Sequence, residues 1–178
     1  MNHDVGARFL TESGRYLTED YLPKIRAALV SLTDDDIWWR PNAASNSIGN
    51  LLLHLAGNVR QWIVAGVGGA ADRRDRAAEF AASGTVTKDQ ALVTLDSAVA
   101  DAAVVLSALP PSRLPASVRI QGRDTTNFAA IYHVIEHFST HTGQILWIAK
   151  ARTGRDLGFY QDAGGLAKPQ WPGARPID

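Results

Sequence analysis

Three of the chain's five histidines are crowded into one short stretch, as His133, His137 and His141 in IYHVIEHFSTHTGQILWIAK. Imidazole can carry a proton near neutral pH, and it is the commonest metal ligand in proteins. In an α-helix, residues four apart are separated by about 6 Å along the axis and about 40° around it, so two histidines at that spacing can reach one ion. His133 and His141 are separated by about 12 Å of rise, too far to share an ion whose bonds to nitrogen are ~2.1 Å long. Spacing therefore allows two pairs, His133 with His137 or His137 with His141, and His137 belongs to both.

A pair alone makes a weak site, so a third ligand should come from a facing helix. His54 is the candidate. In NLLLHLAGN it is surrounded by Leu51, Leu52, Leu53 and Leu55, which makes it at least partly buried, and a buried imidazole needs partners on its ring nitrogens. The ordinary alternative is a core histidine bonded to a carbonyl or a hydroxyl. The chain has no cysteine, so a metal would have only nitrogen and oxygen ligands to choose from, and disulfides are excluded. Three imidazoles without a carboxylate would leave coordination positions open to water or substrate and would suit Zn, Ni or Fe. Phe138 follows His137, so the glutamate of the H-E-x-x-H zinc-peptidase pattern is missing. Glu136 projects about 100° away from His137.

Four long helical segments would carry these residues. The first covers about 5–31, with Pro23 expected to kink or divide it. Thr33 can cap a short turn, DDDIWWRP, in which Trp38 or Trp39 should plug the core. The second helix starts near Ser45 or Ser47, runs to about Val64 and stops at GVGG. The third runs from about Thr87 to Leu109, opened by a Thr87–Gln90 capping pattern and ended by Pro110 and Pro111. A short extended piece is expected around 118–120, before a turn at Gly122. The fourth helix runs from about Thr125 to Arg152, with Gly154 as its stop. These patterns predict an all-α fold, an antiparallel four-helix bundle. It forms a single domain over 1–178, with a core of about 5–153 and an irregular Gly- and Pro-rich tail over 154–178.

The bulk composition narrows the function. With 18 Lys+Arg against 18 Asp+Glu the net charge is zero, which argues against a nucleic-acid binder. The N-terminus lacks a basic start followed by an apolar run, and polar residues or glycine interrupt the apolar stretches before the ~18 residues of a membrane span. A cytoplasmic protein is expected.

HFSTHTGQI, from His137 to Ile145, resembles the closing H-x-x-x-H-x-G-Q motif of the DinB/YfiT-like superfamily. NSIGNLLLHLAGNVRQWI and GRDTTNFAAIYHVIEHFSTHTGQI together resemble a bacterial subgroup of uncharacterised DinB-like proteins, over about Phe9 to Tyr160. The resemblance implies a four-helix bundle, often a homodimer, with a three-histidine metal site. It assigns His54, His137 and His141 as ligands and so chooses between the pairs that spacing left open. Zn or Ni would be favoured, then Fe. It also implies a metal-dependent enzyme, a thiol-dependent S-transferase or a related hydrolase, acting on a small molecule with a low-molecular-weight thiol. The alternative is a non-catalytic metal-binding or stress-response protein.

His133 is then the spare histidine, lining the pocket or bonding a nearby carbonyl. Asn58, one turn past His54, and Gln144, three residues past His141, could orient a ligand or water, or be ordinary packing amides. Gly143 could allow close helix approach. The run DRRDRAAEF, 72–80, reads as a solvated loop or short helix with local ion pairs. The functional reading makes it a lid, with Arg73, Arg74 or Arg76 meeting an anion. Arg60, Arg119 and Arg123 have no spacing that compels such a role, and His3 reads as incidental.

Overall fold

A computed structural model describes residues 2–175, with side chains from Val5 onward; the His3 side chain lies outside the described residues. The protein is mostly helical, with two short strand pairs. Helix α1 (Asn2–Arg15) leads through a π-helical stretch (Tyr16–Tyr21) into α2 (Leu22–Leu29). The dihedral angles at both junctions are helical, so Pro23 does not break the chain's course. Pro23 has no N–H to offer the Glu19 carbonyl four residues back. The indole Nε1 of Trp171 donates to that carbonyl instead, at 3.2 Å. Trp171 is buried, and the Lys24 ammonium sits 3.7 Å from its ring centroid, which pins the C-terminal tail to this helix.

Thr33 caps the short α3 (Asp34–Trp38) through a reciprocal bond with Asp36. Trp38 packs directly on Gly49, where a Cβ would come within 2.8 Å of the indole, and its Nε1 donates to the Val86 carbonyl. Helix α4 (Ile48–Val59) starts at Ser47, whose hydroxyl accepts from the Asn50 N–H while the Asn50 side chain accepts from the Ser47 N–H. It continues as a second π-helical stretch (Arg60–Val67). The segment expected to be solvated contains α5 (Arg76–Ala81), capped by Asp75. Helix α6 (Lys88–Ala108) opens with the anticipated Thr87–Gln90 capping box.

Strands β1 (Ser117–Ile120) and β2 (Arg123–Thr126) form a hairpin. Its turn residues Gln121 and Gly122 both have positive φ, 53° and 75°, the geometry of a tight two-residue hairpin turn. Thr126 then caps α7 (Asn127–Thr153), which stops at Gly154 in the left-handed conformation. The tail is more regular than expected: β3 (Tyr160–Asp162) pairs with β4 (Ala167–Pro169).

Helix α4 packs on both α6 and α7, α2 on α7, and α1 on α6. Leu17, Ile25, Leu52, Leu55, Leu95, Ile131, Val134 and Phe138 meet in the core. An 18-residue window of α6 reaches a mean hydropathy of 1.6, so by length and composition alone this helix is apolar enough to cross a membrane, contrary to the expectation from sequence. Ala91, Leu95, Ala98, Val99, Ala102 and Leu106 give it a buried face within the core.

Candidate metal centre

Helices α4 and α7 meet along a row of polar side chains. His54 comes from α4, where spacing put it among leucines, and it is buried at 4% exposure. His137 and His141 come from successive turns of α7. His54 Nε2 lies 3.0 Å from His137 Nε2. The rings of His54 and His141 have centroids 5.2 Å apart, and those of His137 and His141 are 4.4 Å apart. Ligand nitrogens of these three residues all lie within 4.8 Å of one another, so together they could bind a metal ion.

The donor chemistry fits such an ion. His141 Nδ1 donates to Gln144 Oε1 at 2.7 Å, which leaves Nε2 with its lone pair. His54 has a carboxylate partner on Nδ1, Glu79 Oε2 at 2.8 Å, and likewise directs Nε2 toward His137. Burial, reinforced by His141, His54 and His133, pushes the His137 pKa down to about 3. Burial also lowers His141, against the opposing Gln144 hydrogen bond, and lowers His133. Neutral imidazole is the ligating form, so these shifts hold the site ready for a cation at neutral pH.

His133 is not part of the ligand group. Its ring is 5.3 Å from that of His137 and packs tilted against Trp62 at 4.4 Å, and its Nε2 is 3.4 Å from Asn58 Nδ2. No backbone carbonyl appears among these contacts. Asn58 Oδ1 and Trp62 Nε1 are buried without a partner. A cleft of about 550 Å³ opens on the other flank, lined by Pro41, Ser45, Leu51, Gln144, Trp147 and other residues. Gly143 also lines it and does not serve helix approach, because a Cβ there would meet nothing within 4 Å.

The reading of 72–80 as a solvated run fails at two positions. The side chains of Arg74 and Glu79 are 3% and 9% exposed, and Arg74 Nε binds Glu79 Oε1 at 2.7 Å. Burial works to raise the Glu79 carboxyl, but the Arg74 and His54 hydrogen bonds and charges outweigh it and hold it below its usual range. Asn50 Nδ2 donates to the Glu79 and Ala82 carbonyls at 3.0 and 2.8 Å, tying this segment to the start of α4. The signal in the sequence was AAEFAA, a single carboxylate in an apolar setting inside an otherwise charged run. Two of the other candidate arginines find neighbours elsewhere: Arg60 binds Asp101 and Ser97, and Arg119 binds Asp124.

A family model described as "Protein of unknown function (DUF1572)" matches residues 4–159. The chain belongs to this family. The match runs from within α1 through the end of α7 and includes every residue of the histidine cluster. DUF1572 is itself uncharacterised, so membership brings no activity with it. No curated protein matches the chain.

Proposed function

We propose that this DUF1572 protein is a metal-dependent enzyme of the DinB-like kind, built as an antiparallel four-helix bundle. Its reaction is a thiol-dependent S-transfer or a related hydrolysis, and His54, His137 and His141 are the metal ligands. One observation carries the reading: three imidazoles converge from two helices, and among the described residues no cysteine or carboxylate completes the set. A structural zinc site is closed by four protein ligands, whereas a catalytic one keeps a position free. When bound, a divalent ion supplies Lewis acidity that lowers the pKa of a thiol or water reaching its free positions. Three uncharged ligands leave the ion's charge uncompensated, which favours an anionic nucleophile. The ligand softness suits Zn or Ni, then Fe.

The chain's own residues supply orientation and access. Gln144 fixes the His141 ring and also lines the cleft, so a substrate bound in the cleft would lie beside the ligand group. His133, with Asn58 and Trp62 beside it, flanks His137. Zero net charge and the DinB-like resemblance support a cytoplasmic homodimer acting on a small molecule, with no nucleic acid or membrane as partner.

The test is turnover of an electrophile such as monochlorobimane by metal-loaded protein with bacillithiol, mycothiol or glutathione as donor. Metal-dependent product with one donor supports S-transfer. If no donor reacts, and chelation lowers the melting temperature, the ion instead ties α4 to α7 in a non-catalytic protein.

A further inference from the structure

Arg74 grips Glu79 through two hydrogen bonds, Nε to Oε1 at 2.7 Å and Nη2 to Oε2 at 2.9 Å. Glu79 Oε2 lies 2.8 Å from His54 Nδ1, and Arg74 Nη2 lies 3.1 Å from the same nitrogen. Both contacts cannot be hydrogen bonds to Nδ1, because a guanidinium only donates and an ionised carboxylate only accepts. The carboxylate is the nearer, and it would face a bare lone pair at 2.8 Å unless Nδ1 carried a proton. His54 therefore carries its proton on Nδ1 and donates it to Glu79. Its Nε2 is then committed as an acceptor, facing His137.

The slot for this carboxylate depends on residue 57. A Cβ on Gly57 would sit 1.9 Å from Glu79 Oε1 and 2.9 Å from Arg74 Nε. Gln61 closes the far side, accepting from Arg74 Nη1 at 3.0 Å and donating to Asp72 at 2.7 Å. As a stability device a buried ion pair is poor, since apolar residues of similar volume commonly do as well. As an orienting device for a ligand histidine, a carboxylate fixes the tautomer and raises basicity.

We propose that Glu79 is a positioning residue of the metal centre, accepting a hydrogen bond from the Nδ1–H of His54 so that Nε2 alone is offered to the ion, with Arg74 and Gly57 holding it in place. This rests on the metal-site reading above.

The test compares wild type with the double variant Arg74→Met/Glu79→Leu, which removes both charges together and leaves neither stranded. Nitrogen-15 spectra of the metal-free proteins at neutral pH report the His54 tautomer, and Co(II) titration reports affinity. The expected result is a wild-type His54 protonated on Nδ1, a double variant in which Nε2–H is populated, and Co(II) binding weaker by about 10–100-fold in that variant. A wild-type His54 protonated on Nε2 overturns the proposal without recourse to any variant. So does a folded double variant that keeps both the wild-type tautomer and the wild-type Co(II) affinity. If wild type takes up no Co(II), the metal reading fails, and the tautomer comparison still decides the role of Glu79.

Discussion

His54 Nε2 and His137 Nε2 face each other at 3.0 Å across the seam between α4 and α7. Two imidazole lone pairs at that distance repel unless a proton or a cation lies between them, and His141 adds a third nitrogen to the same space. An ion bound there joins two helices that are far apart in sequence. It stabilises the folded state alone, by about 2.7 kcal/mol when free metal is 100 times its Kd. Zn(II) is expected to raise the melting temperature of wild type and to leave that of His54→Ala unchanged. An equal rise in both would place the ion elsewhere.

Acid should destabilise the metal-free protein. The His137 pKa is about 3 in the folded state, against 6.5 for the ordinary side chain. Between those values the unfolded chain binds the proton and the folded chain does not, so stability rises with pH across the window and is lost as pH falls from about 6.5. The lowered His133 and His141 act with the same sign. Denaturant melts in a chelator are expected to show a lower midpoint at pH 5 than at pH 7.5. The difference should shrink in His137→Asn. A midpoint that is flat or higher at pH 5 would contradict the burial of these rings.

Gly57→Ala probes the slot beneath Glu79. The new methyl would overlap the carboxylate, forcing it and Arg74 to move, and overpacking of this kind costs about 1–3 kcal/mol. Gly143→Ala is the matched control, because its Cβ would point into open space. Urea melts of the two variants should differ by that amount, with Gly57→Ala the weaker. Equal stabilities would mean that the slot is not closed.

Trp171 tests the tail independently of the metal. Its burial, its bond to the Glu19 carbonyl and its contact with Lys24 make Trp171→Ala destabilising by about 3–5 kcal/mol. Metal content per folded molecule should stay the same. Loss of metal in a folded Trp171→Ala protein would show that the tail takes part in the site.

Local signals explain what could be read from the sequence. The Thr87–Gln90 box, the Gly154 stop and the Gly122 turn are short-range codes, and each sits where its spacing put it. The cluster of His54 with His137 and His141 was legible for a related reason: helix geometry limits which pairs can converge, and the motif resemblance chose among them. Glu79 was not legible as a partner of His54 because that contact depends on how residues 69–82 fold back over α4. Periodicity does not encode this path, which is set by the Asn50 bonds to the Glu79 and Ala82 carbonyls. The same holds for Pro23. It was expected to kink or divide the helix, and the partner of the Glu19 carbonyl, Trp171, lies in a tail whose sequence has no helical or strand periodicity.

The most direct measurement of the central claim is elemental analysis of the purified protein and of His54→Ala, His137→Ala, His141→Ala and His133→Ala, each confirmed as folded. About one divalent ion per chain is expected in wild type and in His133→Ala, with substoichiometric metal in the other three. Stoichiometric metal that survives His137→Ala, or a wild type that holds none after exposure to Zn(II), Ni(II) or Fe(II), would contradict the assignment of the site.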